Sequence, residues 1–357
     1  MPVANESEIS PGRHGLRVVA IGGGTGLSTL LRGLKRHTAG PGESSLDGDG
    51  PHIADLTAVV TVSDDGGSSG RLRRELNILP PGDIRNCLVA VSEDENLISK
   101  LFRYRFTSSG QLEGHSFGNL FLAALTAITG DFAEAVKRAS EILATRGHIL
   151  PATSSNVKLE AVMDDNSHVF GETNITASEK RIVELRMEPA APQPLPQTLE
   201  AIAHADIITM GPGSLFTSLI PNLLVRGIPE AIATSPAVKV FVCNLMTEAN
   251  ESLNMPASQH IQAIYNHSRR PIFDFALVNS ALLSPAMKER YAEEHAEQVE
   301  CDTLAIEALG VKCIAGNFIE EGDFARHATS RLCLELLRLA QMVHIAKGTS
   351  ASQTVLK

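Results

Sequence analysis

Short continuous apolar runs alternate along this chain with longer stretches whose leucines and alanines recur every three or four positions. The first run, Leu16-Arg17-Val18-Val19-Ala20-Ile21, passes through Gly22-Gly23-Gly24-Thr25-Gly26 into Thr29-Leu30-Leu31-Arg32-Gly33-Leu34, where the leucines have helical spacing. That order predicts strand, tight loop and helix. Residues 56–62 form a β-branched run of the kind buried in parallel sheets, and it ends in Ser63-Asp64-Asp65-Gly66-Gly67-Ser68-Ser69-Gly70-Arg71. Helical patterns follow over 97–106, 117–128 and 132–143. From 148 to 189 the period shortens to two, at 157–162 and 182–187, which predicts antiparallel strands. Residues 189–196 read as a linker. Strand candidates at 207–210, 238–244 and 275–279 then alternate with helical segments such as 261–267 and 286–294.

The pattern predicts an α/β fold: a doubly wound, Rossmann-like parallel sheet with helical and antiparallel β insertions. We expect a disordered N-terminal segment at 1–15 and an α/β domain over 16–322. That domain would carry a helical insertion at about 71–145 and a β subregion at about 148–189. A C-terminal helix and tail should occupy 323–357. The apolar stripe of that helix reads as core or as a subunit contact, so a homo-oligomer is among the expectations. The stretch 38–52, rich in Gly, Ser and Asp, reads as a mobile surface loop.

Composition narrows the function. A formal net charge of -10 argues against a nonspecific nucleic-acid binder, which needs a basic surface. The five cysteines are scattered and form no C-x-x-C pair, so reduced thiols are expected rather than a disulfide framework or a zinc site. Residues 1–15 lack the basic and apolar blocks of a signal peptide, and the apolar stretch 207–225 is broken by Gly211-Pro212-Gly213 and Pro221. These features predict a cytoplasmic protein without membrane insertion.

The candidate chemistry lies where predicted strands meet predicted helices. At the first junction, glycines let backbone N–H groups converge on an anion, and the helix adds the positive end of its dipole. The alternative is a plain glycine turn with Thr25 or Ser28 as a cap. The spacing is not the dinucleotide fingerprint, because the third glycine of G-x-G-x-x-G would fall at Leu27. A second junction, Gly211-Pro212-Gly213-Ser214-Leu215-Phe216-Thr217-Ser218-Leu219-Ile220, aligns with the first without a gap. Two such loops suggest a polyanionic ligand. Asp64 and Asp65, followed by Arg71, read either as a metal or hydroxyl site beside phosphate-binding cations or as a solvated turn capping the next helix. His115, in Gly114-His115-Ser116-Phe117-Gly118-Asn119, has no identifiable partner and reads as structural.

Taken together, Gly22-Gly23-Gly24-Thr25-Gly26-Leu27, Ser63-Asp64-Asp65-Gly66-Gly67-Ser68-Ser69-Gly70, Pro81-Gly82-Asp83-Ile84-Arg85, Leu101-Phe102-Arg103-Tyr104-Arg105-Phe106, Gly114-His115-Ser116-Phe117-Gly118-Asn119-Leu120 and Met210-Gly211-Pro212-Gly213-Ser214-Leu215 resemble the YvcK-type branch of the CofD-like superfamily. The resemblance makes 16–322 a CofD-like domain. It implies a cytoplasmic gluconeogenesis factor that binds a UDP-sugar, such as UDP-N-acetylglucosamine, and supports cell shape and envelope synthesis on gluconeogenic carbon sources. It further implies that Gly23, Gly24, Thr25, Gly26, Gly211, Gly213 and Ser214 line the nucleotide site, with Asp64 and Asp65 beside it. Tyr265 becomes a candidate contact for base or sugar, or else an aromatic packed against the sheet.

The superfamily also contains 2-phospho-L-lactate transferases, which act on a deazaflavin acceptor. In that alternative Asp64 and Asp65 would hold Mg2+, and Arg71 or Arg85 would neutralise the migrating phosphoryl group. An NAD-dependent oxidoreductase is a third and weaker option, given the missing glycine. The chain departs from the branch pattern at Asn250-Glu251-Ser252, at Gln259, at the extra length of 38–52 and at Arg326-His327-Ala328-Thr329.

Overall fold

The structure is a computed structural model describing residues 15–39, 52–93, 97–107 and 109–354. The expected lead-in thus lies, apart from Gly15, outside the described residues, as does most of the 38–52 loop. The strands are β1 Leu16–Gly22, β2 Ile53–Val60, β3 His148–Pro151, β4 Lys158–Met163, β5 His168–Phe170, β6 Ile182–Glu188, β7 Ile207–Met210, β8 Val238–Val242, β9 Phe275–Asn279, β10 Lys312–Gly316, β11 Ile319–Glu321 and β12 Ala325–His327.

Seven of these form one parallel sheet in the order β10-β9-β8-β7-β1-β2-β3. All of β7 and nearly all of β1 are buried, which requires cover on both faces and explains their unbroken apolar sequences. The chain builds outward from β1 through β2 to β3, then returns to add β7, β8, β9 and β10 on the other side. The order reverses between β1 and β7, and ligands of open α/β sheets settle at the carboxyl edge of such a reversal.

The insertions divide as the pattern predicts, with one difference. Helices Gly67–Leu76, Gly82–Val91, Leu97–Arg103, Phe117–Thr129 and Phe132–Ile142 stand between β2 and β3. The antiparallel sheet has the order β5-β4-β6. Residues 148–151 are grouped with that region by their alternating pattern, yet β3 pairs in parallel with β2 and closes the main sheet. Four residues at a half-covered edge alternate for lack of cover, so period alone does not assign them.

Helix Gly24–Leu34 buries Leu27, Leu30, Leu31 and Leu34 in the core. The C-terminal helix Thr329–Thr354 lies directly on it. A Cβ placed on Gly33 would stand 2.2 Å from Thr329 Cγ2 and 2.6 Å from Cys333 Sγ, so this close approach admits only glycine. Among the described residues no helix is long and apolar enough to cross a membrane.

Candidate functional site

Register brings the two glycine loops together. Ile21 of β1 pairs with Met210 of β7, and Gly211 N–H donates to Ile21 O at 3.2 Å, so both chains leave the sheet at the same level. They continue in contact: a Cβ on Gly26 would lie 2.3 Å from Pro212 O. Between and above them opens a cleft of about 740 Å³, walled by Gly23 to Gly26, Pro212 to Ser214, the segment after β8, and the hairpin β11–β12.

The two loops differ in what their donors already do. In the first, Gly24 N–H donates to the Asp83 carboxylate, and Leu27 N–H reaches back to Gly23 O at 3.5 Å. Thr25 and Gly26 stand in the first helical turn, where no helical carbonyl can reach their amides, and both line the cleft. The second loop is closed by its own protein. Gly213 N–H donates to Asn244 Oδ1 at 3.0 Å, and Ser214 Oγ to Glu248 Oε2 at 2.8 Å. Glu251 accepts Phe216 N–H at 3.1 Å and Thr217 Oγ1 at 2.9 Å. A buried carboxylate therefore takes up the donors at the start of the helical turn Leu215–Leu219.

Carboxylates also line the opposite side. Burial, with the Asp64 carboxylate as second cause, pushes Asp83 up to about 6, against the opposing pull of Gly24 N–H and Arg85. Glu172 is raised well above the usual carboxylate range by burial and then by Asp64 and Asp83, while Ser63 Oγ donates to it at 3.0 Å. Glu248 and Glu251 are both raised, chiefly by burial, and Glu251 further by its neighbour. His327, whose Nε2 lies 3.1 Å from Cys243 O, is pushed down to about 4 by burial. It is neutral at physiological pH. Arg326, exposed at the cleft wall, brings the positive charge.

Of the residues singled out by sequence, Gly23, Gly24, Thr25, Gly26, Gly213 and Ser214 all line this cleft; Gly211 does not, and its N–H donates to Ile21 O where the chain leaves β7. Asp64 and Asp65 do not line it. Asp64 Oδ1 accepts Gly66 N–H at 2.8 Å, and Asp65 Oδ1 accepts Thr173 N–H at 2.8 Å and Thr173 Oγ1 at 2.7 Å. Both carboxylates close loops. Among the described residues no group of three His, Cys, Asp or Glu stands together in a way that would hold a metal ion. Arg71 Nη2 donates to Glu113 O at 2.5 Å, and Arg85 Nη2 to Asn86 Oδ1 at 2.6 Å; neither lines the cleft. Tyr265 stacks on Phe273, with ring centroids 5.9 Å apart. Phe273 precedes β9, so this stack lies by the amino end of the sheet, away from the cleft. His115 has a partner, with Nδ1 at 2.9 Å from Ser68 Oγ, which also receives Asn119 Nδ2 at 3.1 Å.

Sequence reasoning missed Asp83, Glu172, Asn244, Glu248, Glu251 and Arg326. Glu251 and Arg326 did fall in segments marked as departures from the branch pattern, which was the available signal.

The family model described as "2-phospho-L-lactate transferase CofD" matches residues 18–319. The chain is 47% identical to a gluconeogenesis factor of Halalkalibacterium halodurans over 321 residues, 90% of this chain and 95% of that protein. It is 44% identical to the gluconeogenesis factor of Bacillus subtilis over 324 residues, 90% of this chain and 98% of that one. The chain belongs to the gluconeogenesis factor family. Its fold agrees with that of solved relatives: a crystal structure of an upf0052 family protein from Bacillus halodurans superposes with a TM-score of 0.83 at 47% identity, covering 90% of this chain and 99% of that one. A second crystal structure from the same organism gives 0.84 at 46% identity, covering 91% and 100%. In this gluconeogenesis factor family member the CofD-like domain accordingly accounts for nearly all of the parallel sheet.

Proposed function

We propose that this protein binds a nucleotide-sugar, of the UDP-sugar class, in the crevice between β1 and β7. In this reading it is a cytoplasmic binding or sensing protein that supports envelope synthesis and cell shape during growth on gluconeogenic carbon sources. The observation that carries the reading is the division of one cleft into unlike parts. The Thr25 and Gly26 amides and Arg326 suit phosphate. The Asp83, Glu172 and Glu248 carboxylates in the same cleft suit hydroxyl donors, and a bare phosphate gains nothing from them. A ligand with an anionic centre and a hydroxyl-rich ring satisfies both.

The family model's description speaks for the second reading, a magnesium-dependent transferase. Against it, Asp64 and Asp65 stand outside the cleft, each with its Oδ1 engaged in loop closure, and Arg71 Nη2 and Arg85 Nη2 donate to protein acceptors. Titration calorimetry against UDP-N-acetylglucosamine, UDP, GDP and NAD tests the proposal. Saturable binding is expected for the UDP-sugar, at least tenfold tighter than for NAD. Folded protein that ignores every UDP-sugar refutes the reading, and magnesium-dependent product formation would favour the transferase.

A further inference from the structure

Two of the five cysteines differ from the rest. Cys87, Cys243 and Cys333 are buried, and burial pushes their thiols up, so they pack as small apolar side chains. Cys301 and Cys313 are only partly covered. Cys301 lies in the segment leading into helix Thr303–Ala308, and Cys313 lies on β10, an edge strand of the main sheet. Distant from any C-x-x-C spacing in sequence, they are brought together by the fold. Thr303 Oγ1 donates to Cys313 Sγ at 3.7 Å and stands 3.6 Å from Cys301 Sγ, so one hydroxyl gathers both sulfurs. Its single proton goes to Cys313, which leaves it an acceptor toward the Cys301 thiol. The two thiols also meet directly, as hydrogen-bond partners.

The two sulfurs are not equivalent. Burial pushes the Cys313 thiol up to about 11, with the Thr303 hydroxyl pulling the other way and Cys301 adding to the rise, so Cys313 keeps its proton and is a donor for a thiolate at Cys301. Cys301 is also the more accessible, because with Thr303 it lines a cavity of about 560 Å³ that opens beyond β8 and admits a small solute. Metal binding is a poorer account of the pair: among the described residues no group of three His, Cys, Asp or Glu could hold an ion.

We propose that Cys301 and Cys313 form a peroxide-sensitive dithiol, oxidised reversibly to a disulfide, with Cys301 as the attacking sulfur and Cys313 as the resolving one. The oxidant is a hydroperoxide. The Cys301 sulfur attacks its outer oxygen, the O–O bond breaks, and the alcohol or water that leaves takes up the thiol proton. The Cys313 sulfur then attacks the Cys301 sulfenic acid, the S–O bond breaks, and the hydroxyl leaves as water with the Cys313 proton. Two electrons pass from the sulfurs to the peroxide, and a thiol reductant reverses the change. The new bond fastens β10 to segment 299–302, which already holds its surroundings: Val299 N–H donates to Leu245 O at 3.0 Å, and Asp302 Oδ1 accepts Ser258 N–H at 2.9 Å.

The test treats the folded full chain with hydrogen peroxide, alkylates the remaining thiols under denaturing conditions, and maps the peptides by mass without reduction. A peptide pair linked through Cys301 and Cys313 is expected, with Cys87, Cys243 and Cys333 still alkylated, and dithiothreitol should restore alkylation of both linked thiols. Cys313→Ser should stop at a sulfenic acid on Cys301 that dimedone traps, and Cys301→Ser should leave Cys313 reduced. Mapping of the unaltered protein decides the matter even where melting curves show that a variant does not fold. Cys301 and Cys313 both still alkylated after peroxide, a linkage to any other cysteine, or a linkage between two chains each overturns the site. Oxidation of Cys313 in folded Cys301→Ser overturns the assigned order of attack.

Discussion

Asp83 shows how a single carboxyl is shaped by its surroundings. Its folded value of about 6 lies above the ordinary 3.8, so the folded chain binds more protons than the unfolded chain between those values. Stability therefore falls as pH rises through that window and stays reduced above it. Asp83→Asn keeps an acceptor for Gly24 N–H and removes the charge. It should stabilise the unliganded protein at pH 7.5 by up to about 3 kcal/mol, with the gain vanishing near pH 4, as read by urea unfolding at both pH values. Sequence could not reveal this residue's setting. Pro81-Gly82-Asp83 reads as a helix start, and only the fold brings Gly24 and Asp64 to it. Glu248 and Glu251 were hidden for the same reason, since their partners lie some thirty residues upstream in another loop. Tyr265 is a candidate contact only by the family resemblance, with packing against the sheet as the alternative, and neither period nor motif tells which end of the sheet a helix face meets.

At the scale of elements, the strand-loop-helix unit β1 to Gly24–Leu34 was legible because three local signals agree: an apolar run, clustered glycines and helically spaced leucines. The contact of its first turn with Pro212 was not legible, being a matter of backbone approach across the crevice. Gly26→Val would drive a branched side chain into the Pro212 carbonyl. We expect a loss of about 1–3 kcal/mol in thermal unfolding and nucleotide-sugar binding too weak for calorimetry. Short elements escaped the pattern altogether. The hairpin β11–β12 has three residues per strand, too few for a period to register, yet it brings Arg326 and His327 to the cleft.

For the whole molecule, alternation of strands and helices was sufficient to give a doubly wound sheet, because parallel pairing needs crossovers and continuous burial leaves a plain trace in composition. Strand order was not given by that trace, and the reversal between β1 and β7 determines where the cleft lies. The C-terminal helix belongs to this scale. It places Leu332, Leu336, Leu337 and Ala340 in the core and rests on the helix that carries the first glycine loop. Leu337→Ala should cost about 2–5 kcal/mol in denaturant unfolding, and nucleotide-sugar affinity should fall with it only if that loop shifts.

Glu251 is fixed by its own chain at the start of the Leu215–Leu219 turn, so its bonds to Phe216 N–H and Thr217 Oγ1 are intramolecular and a ligand group must displace them to reach those donors. Under the proposed function a phosphate group would have to displace Glu251 at the second loop, whereas at the first the Asp83 carboxylate holds Gly24 N–H and leaves Thr25 and Gly26 facing the cleft. Two loops alike in sequence thus differ in which donors are already spent, and under the proposed function that difference would set the polarity with which a ligand enters the crevice.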